Sequence, residues 1–238
     1  MVLAVLQARM SSTRLPGKVM ADLVGAPMIL RQIERLRRSR RLDGVLVATS
    51  TDPSDDGLAA MLVLHDVPVH RGPLDDVLAR YEGALKAHPA DVLARLTADC
   101  PLADPGVIDA TIDLLIERGL DYAANTPAHR TYPKGLDVEV MRADALLRAA
   151  REAKDPYERE HVTPYLYRRP DLFAQDFISQ DADEGEVRWT VDRPDDLEFV
   201  QQVYGALYTP TPAFGSEDVR AFVRSRPDLA MLGGDRRV

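Results

Sequence analysis

Cysteine is almost missing from this chain. Cys100 stands alone among 238 residues, so no intrachain disulfide can form, and a reducing, cytoplasmic setting is expected. No apolar run approaches the ~20 residues that span a bilayer. The first residues lack the cationic start and long apolar stretch of a signal peptide, so no membrane association is expected. The five histidines, His65, His70, His88, His129 and His161, show no metal-ligand spacing, which argues against a histidine-built zinc site. There is no G-x-S-x-G elbow. Positive charge is also short overall: the net charge is −8, which speaks against a general nucleic-acid binder. Low-complexity tracts and internal repeats are absent too. What remains is a chain with 45% apolar residues, enough to bury one large core or two small ones.

The cations are unevenly placed. Residues 1–41 hold nine Lys/Arg against Asp22 and Glu34, a net of +7, which leaves −15 for the rest. A cationic zone in an acidic protein suits a small polyanionic ligand. Arg35, Arg37, Arg38, Arg40 and Arg41 read more simply as the end of a helix, where cations favour the dipole. Arg9, Arg14 and Lys18 lie ahead of that helix, in "QARMSSTRLPGK".

Hydrophobic patterning organises the first 125 residues. Val2–Leu6, Gly44–Thr49, Val67–Val69 and Val92–Leu96 read as strands, the continuous apolar runs among them as strands buried on both faces. Helices are expected behind Pro27, through Leu58–Leu62, from Pro73 to Ala87, and through Ile108–Leu115. Such alternation implies parallel strands joined by helical crossovers, with ligands beyond the carboxyl ends of the strands. Past residue 125 the pattern changes. A loop over 125–135 precedes an alternating strand, Leu136–Val140. Helices follow over 143–153 and 156–168, strands near 172–179 and 186–191, and a helix from Pro194 to Leu207. The remainder carries a short helix over 216–225 and a loose end.

Three features can carry chemistry. The opening segment is a strand, a Gly-containing loop and a helix, the usual geometry for gripping phosphate with backbone N–H groups. It is not the G-x-x-x-x-G-K-[ST] loop, because the first glycine is missing and Val follows Lys18. A plain surface loop is the competing reading. Asp99, in "RLTADCP", and Asp192, in "RWTVDRPDD", each end an expected strand. Converging beside a cationic loop, they suit Mg²⁺, although either could merely cap a helix or turn. Asp137 and Glu139 share one strand face and could meet a substrate hydroxyl, an amine or the metal. Glu160 and His161 brace a helix or reach the site. Cys100 has no local His partner and reads as inert packing.

Together these residues also resemble a known family. "LQARMSSTRLPGKVMADLVGAPMI" resembles the opening signature of the cytidylyltransferases that activate acidic sugars. "RLTADCPLADP", "GLDVEV", "REHVTPYLY" and "RWTVDRPDDLEFV" resemble, in the same order, the spore-coat polysaccharide branch related to the 3-deoxy-manno-octulosonate enzymes. The resemblance covers about residues 2–205. It implies an α/β fold of nucleotide-diphospho-sugar transferase type, with a Rossmann-like, mostly parallel sheet flanked by helices. Residues 1–208 would be one nucleotidyltransferase domain, with 125–180 partly a sugar-binding or dimerisation subdomain, and 209–238 a tail. By resemblance, Leu6, Ala8, Arg9, Ser11, Thr13, Arg14 and Lys18 hold the triphosphate side of CTP, and Thr49, Ser50, Arg71 and Gly72 lie by base and ribose. Asp99 and Asp192 bind Mg²⁺; Lys18, Arg14 and Asp99 take part in catalysis. Asp137, Glu139, Glu160 and His161 are the acceptor candidates, the acceptor being an acidic sugar, in a homodimer. The octulosonate enzymes have Gly-Asp-Glu-Pro where this chain has Ala98-Asp99-Cys100-Pro101, and their sugar-holding segments have no counterpart here. Within the same chemistry, a sugar-1-phosphate or phosphonate nucleotidyltransferase, with GTP as a donor option, is the alternative. A nucleotide-sugar-dependent glycosyltransferase is another, but its Asp-x-Asp is absent around Asp99. A catalytically silent nucleotide-binding regulator is the third.

Overall fold

The computed structural model describes all of residues 1–238. Seven strands form one sheet: β1 (Val2–Gln7), β2 (Gly44–Ser50), β3 (Val69–Gly72), β4 (Val92–Thr97), β5 (Tyr122–Ala124), β6 (Glu139–Arg142) and β7 (Gln175–Phe177), in the order β3-β2-β1-β4-β6-β5-β7. All pairs are parallel except those of β6, which runs antiparallel to β4 and β5. The central strands have apolar side chains on both faces, and the period of two divides them between layers. Ala4 and Leu6 of β1 pack with Ile29, Ile33 and Leu36 of α1 (Met28–Leu36), Leu58 and Leu62 of α2 (Asp56–Leu64), and Ile108 and Ile112 of α4 (Pro105–Arg118). Leu3 and Val5 face the other way, onto Leu78 and Tyr81 of α3 (Val77–Ala87) and Leu146 and Ala149 of α5 (Ala143–Glu152).

A third apolar cluster lies apart from the sheet. It joins Leu23, Trp189 and Val191 to Phe199 and Val203 of α8 (Pro194–Leu207) and to Val219 and Val223 of α9 (Ser216–Arg224). Arg35 ties it to the sheet layer. This side chain is buried, and its guanidinium donates to the carbonyls of Ala103 (2.8 Å) and Phe214 (2.9 Å). Burial lowers its pKa from the ordinary arginine value. Arg35 is thus an internal tie, not a surface cation at a helix end. No helix is long and apolar enough to cross a membrane.

Several expected elements differ. The strand expected over Val67–Val69 is β3, Val69–Gly72, and the one expected over Leu136–Val140 is β6, Glu139–Arg142, so Asp137 lies ahead of its strand. Helix 3 begins at Val77, where the Asp76 carboxylate accepts from Ala79 N–H and fixes the start after a Pro-led loop. The expected helix 156–168 is two short ones, α6 (Pro156–His161) and α7 (Pro164–Tyr167). The break is at Val162, whose φ of 71° lies outside the helical region, and Pro164 has no N–H to carry α6 onward. Residues 186–191 form no strand; one bridge, Lys134 to Arg188, and a hydrogen bond from Val191 N to Asp99 O hold them extended. The end of the chain is not loose either, since Arg237 is completely buried.

Candidate active site

Beyond the carboxyl ends of β1 and β4 lies a cleft of about 380 Å³, lined by Arg9, Arg14, Lys18, Arg80, Arg95, Asp99, Glu160, His161 and Asp192 among others. The loop after β1 enters it. Gly17 sits in the left-handed region at φ 72°, where a side chain would be strained, and turns the chain into the short helical turn that carries Lys18. The amides of Arg9, Ser11, Thr13 and Arg14 donate to no acceptor in the protein, whereas their neighbours do: Met10 N–H to Asp55, Ser12 N–H to Met10 O and Gly17 N–H to Met10 O. Three of these free donors belong to residues that line the cleft, Arg9, Thr13 and Arg14, and beside the exposed Arg9 and Arg14 side chains they could receive an anion. The Arg9 side chain has no ion-pair partner, and Arg14 meets Asp192 at 3.0 Å while 61% exposed.

Lys18 is placed differently from the other two cations. Its Nζ donates to Val191 O (2.7 Å), Asp192 Oδ1 (3.0 Å) and Asp99 Oδ2 (3.3 Å), which uses all three protons. Asp99 and Asp192, 93 positions apart in sequence, therefore do converge. Each has its other oxygen occupied. Asp99 Oδ1 accepts from the Thr97 hydroxyl at 2.6 Å, and Asp192 Oδ2 from Arg188 at 2.9 Å. Burial opposes the Asp192 charge, but hydrogen bonds from Lys18 and Arg188 and the nearby charge of Arg14 hold its pKa below the ordinary carboxylate value. Two carboxylates, each turning one oxygen to the Lys18 ammonium and keeping further lone pairs, could also hold Mg²⁺, which takes one or two carboxylates together with phosphate oxygens. The one trio of carboxylates spaced for a metal, Asp195, Asp196 and Asp235, instead faces Arg188, Arg193 and Arg237.

A second cavity, of about 810 Å³, adjoins the cleft and shares Arg95, Thr97 and His161 with it. Tyr122, Tyr157, Tyr167 and Phe177 line it, with Arg130, Asp137 and Glu139. Glu139 has little left for a ligand. Its Oε1 accepts from Tyr122 (2.7 Å) and Thr163 (2.6 Å), and its Oε2 from Arg95. Burial and the Glu139 charge push the Tyr122 phenol well above its usual pKa, so it stays a donor. Asp137 is freer. It is half-exposed and accepts from Arg130. Its exposure is to the cavity, whose walls desolvate the carboxylate and lift its pKa; Arg130 opposes this, and Glu139 and Asp99 add to it. His161 is exposed between the cavities. Next to it Val162 has φ 71° and ψ −60°, with Thr163 N donating to His161 O at 2.8 Å. This is the rare, strained hand of the γ-turn, held by a buried β-branched residue. It separates α6 from α7 and aims Thr163 at Glu139.

Thr49, Ser50, Arg71 and Gly72 do not line the cleft. Thr49 and Ser50 are buried, Ser50 bonded to Asp55. Arg71 is bound to the carbonyls of Ser50 and Asp52 and to Asp56. Gly72 has a packing reason: a Cβ there would come within 2.9 Å of Arg80 Cγ and 3.1 Å of its Cα. Leu6 is buried in the core, and Ser11 is exposed on the loop. Cys100 is buried, and burial with the adjacent Asp99 raises its thiol pKa well above normal, which keeps it protonated. Two residues were overlooked in the pattern. Arg80 lies on the buried face of α3, with Nε and one terminal nitrogen on the Pro73 carbonyl and its other terminal nitrogen buried without a partner. Arg95 bonds Glu139 and, at 3.3 Å, Gln7 Oε1, and so spans both cavities. The signal for each was a charge inside an apolar pattern.

Comparison with known proteins bears on the family and the fold. A family profile described as Cytidylyltransferase matches residues 3–208. The spore coat polysaccharide biosynthesis protein SpsF of Bacillus subtilis (strain 168) is 31% identical over 238 residues, 96% of this chain and 96% of its own. A 3-deoxy-manno-octulosonate cytidylyltransferase of Bradyrhizobium sp. (strain ORS 278) is 30% identical over 190 residues, covering 72% of this chain and 75% of its own. Among solved structures, a cytidylyltransferase from Leptospira borgpetersenii serovar Hardjo-bovis superposes with a TM-score of 0.89 at 30% identity, over 96% of this chain and 95% of the other.

Proposed function

The chain belongs to the cytidylyltransferase family, and from that premise we propose that it transfers CMP from CTP to a hydroxyl of an acidic sugar, with Mg²⁺ bound and pyrophosphate released. The observation that carries this reading is the common wall of Arg95, Thr97 and His161 between the two cavities. One cavity has the chemistry of a polyphosphate site, the other that of a sugar site, and they meet where a bond between their ligands would form.

In the cleft, the free amides of the opening loop, with Arg9 and Arg14, receive the phosphates. Lys18, fixed by three acceptors, keeps the Asp99 and Asp192 carboxylates in place and adds positive charge from a point that need not reorganise. Asp99 and Asp192 would hold Mg²⁺, which when bound would supply charge neutralisation for the phosphates. The acceptor oxygen attacks the α-phosphorus in line; the new O–P bond forms as the bond to the bridging oxygen breaks, and pyrophosphate departs. His161 lines both cavities at their junction, and in this proposal it is the candidate to take the hydroxyl proton. Holding both partners in line supplies much of the rate.

The acidic nature of the acceptor is supported by the names of the relatives and by Arg130. This cation stands in the larger cavity against a carboxylate whose ionisation is disfavoured, so a ligand carboxylate can compete for it. The Tyr and Phe rings offer apolar faces to the sugar ring. A homodimer belongs to the same proposal, and sedimentation gives its mass. The deciding experiment is a turnover screen of all four nucleoside triphosphates against acidic sugars and sugar phosphates, read by pyrophosphate release. CTP with an acidic sugar is the expected productive pair. Mg²⁺·CTP binding with no pyrophosphate from any pair would favour the regulator instead.

A further inference from the structure

The cleft is held from behind by residues outside the span matched by the family profile, 3–208. Arg237 is completely buried. Its guanidinium meets Asp196 Oδ1 at 3.0 Å and donates to the carbonyls of Arg188 (2.8 Å) and Leu232 (3.0 Å). Its backbone is fixed as well: its N–H donates to Ala230 O at 2.9 Å, and its carbonyl accepts the Trp189 indole N–H at 2.8 Å.

Asp196, also completely buried, is the link to the site. It accepts the backbone N–H groups of Asp192 and Arg193, both at 3.0 Å, and both its oxygens accept from Arg188. Arg188 in turn donates to Asp192 Oδ2 at 2.9 Å, which leaves Asp192 Oδ1 turned to Lys18. Charge balance shows what Arg237 adds. Without it, Asp196 would keep Arg188 and only the more distant Arg193 at 3.6 Å, and it would draw Arg188 away from Asp192, because a poorly compensated buried charge costs more than a half-solvated one that still has Lys18 and Arg14. With Arg237 paired to Asp196, Arg188 remains available to orient Asp192.

We propose that Arg237 is a positioning residue for the metal-facing carboxylate of Asp192, acting through Asp196 and Arg188. The inference rests on the reading of Asp192 as a metal ligand. Outer-shell partners of this kind are commonly worth about 10- to 100-fold in metal affinity. The test is Mn²⁺ binding followed by electron paramagnetic resonance, without CTP or acceptor, on the full chain and on variants whose thermal unfolding is measured alongside. Arg237→Gln is expected to weaken Mn²⁺ binding about tenfold or more while still folded at the assay temperature. The double variant Asp196→Asn/Arg237→Gln is expected to regain most of it, because Arg188 is then no longer drawn from Asp192. A merely structural role for Arg237 gives no such recovery. Arg237→Gln that binds Mn²⁺ within about twofold of the parent overturns the inference alone, provided Asp192→Asn abolishes binding. Mn²⁺ binding untouched by Asp192→Asn overturns the metal reading and the inference with it. Should Arg237→Gln melt below the assay temperature, Arg237→Lys carries the test. A lysine can meet Asp196 but not both carbonyls; a loss of about threefold or more is then expected, and parental affinity overturns the proposal.

Discussion

Lys18→Met isolates what the ammonium does. Methionine keeps the unbranched stem of a side chain that is only 10% exposed, and removes the charge with its three hydrogen bonds. The Val191 carbonyl, 2.7 Å from Nζ, loses its donor at about 1 kcal/mol. The larger effect is between Asp99 and Asp192. Two carboxylate oxygens at 3.3 Å and 3.0 Å from one ammonium can be no more than about 6 Å apart, and at an effective dielectric near 20 such charges repel by about 3 kcal/mol before screening. Their side chains are 28% and 16% exposed, and Arg14 remains, so about 2 kcal/mol is a fair share. The total of about 3 kcal/mol corresponds to a fall in melting temperature of roughly 6–12 °C for a chain of this size. The assay is thermal unfolding in EDTA and in excess Mg²⁺, and Mg²⁺ should raise the variant by more than it raises the parent, since the ion takes the place of the lost cation. The pH dependence has a definite sign. The Asp192 pKa is depressed in the folded state, so its stabilising contribution is present above the unfolded value of about 3.9 and is lost as pH falls through the lower folded value. The gap between parent and variant should therefore narrow as pH falls below 4, towards the share of the Val191 hydrogen bond. A variant that melts within 2 °C of the parent in EDTA at neutral pH would refute the reasoning.

Three further outcomes follow from the same contacts. Arg9→Ala should leave the melting temperature within about 1 °C, because the side chain is exposed and unpaired, yet raise KM for CTP about ten- to a hundredfold, the worth of a charge-assisted hydrogen bond; an unchanged KM removes Arg9 from the phosphate cradle. Glu139→Gln breaks a nearly buried pair, with side chains 14% and 12% exposed, and should cost about 2–4 kcal/mol in urea unfolding, which a parental midpoint would contradict. Asp137→Asn should do the opposite. The Asp137 pKa is raised on folding, so its ionisation lowers stability above the unfolded value of about 3.9 and not below it. The variant should melt no lower than the parent at pH 7.5, with the difference closing below pH 4, while KM for the sugar rises; a clear drop in melting temperature at pH 7.5 would contradict this.

The contrast between Asp137 and Glu139 also shows where sequence reading stops. Their alternation along one face was legible, and both do line one cavity. Which of them has lone pairs left for a ligand was not, because that depends on Tyr122, Thr163 and Arg95, on three other elements. The same boundary runs through the fold. Strands β1, β2 and β4 announce themselves by continuous apolar runs, since a strand covered on both faces has no other composition open to it. The extended segment before Asp192 has similar side chains but no strand neighbours, and local pattern carries no information about neighbours. The opening loop was recognisable from cations around a glycine. That Lys18 is spent on two aspartates while Arg9 stays free is settled by Val191 and Asp192, more than 170 positions away. Arg95 marks the limit most sharply. A charge in the middle of Val-Leu-Ala-Arg-Leu breaks the composition rule for a buried strand, and folding tolerates it only where a counter-charge is supplied. Such a violation is a sign of function, and here it stands in the wall that separates the two cavities.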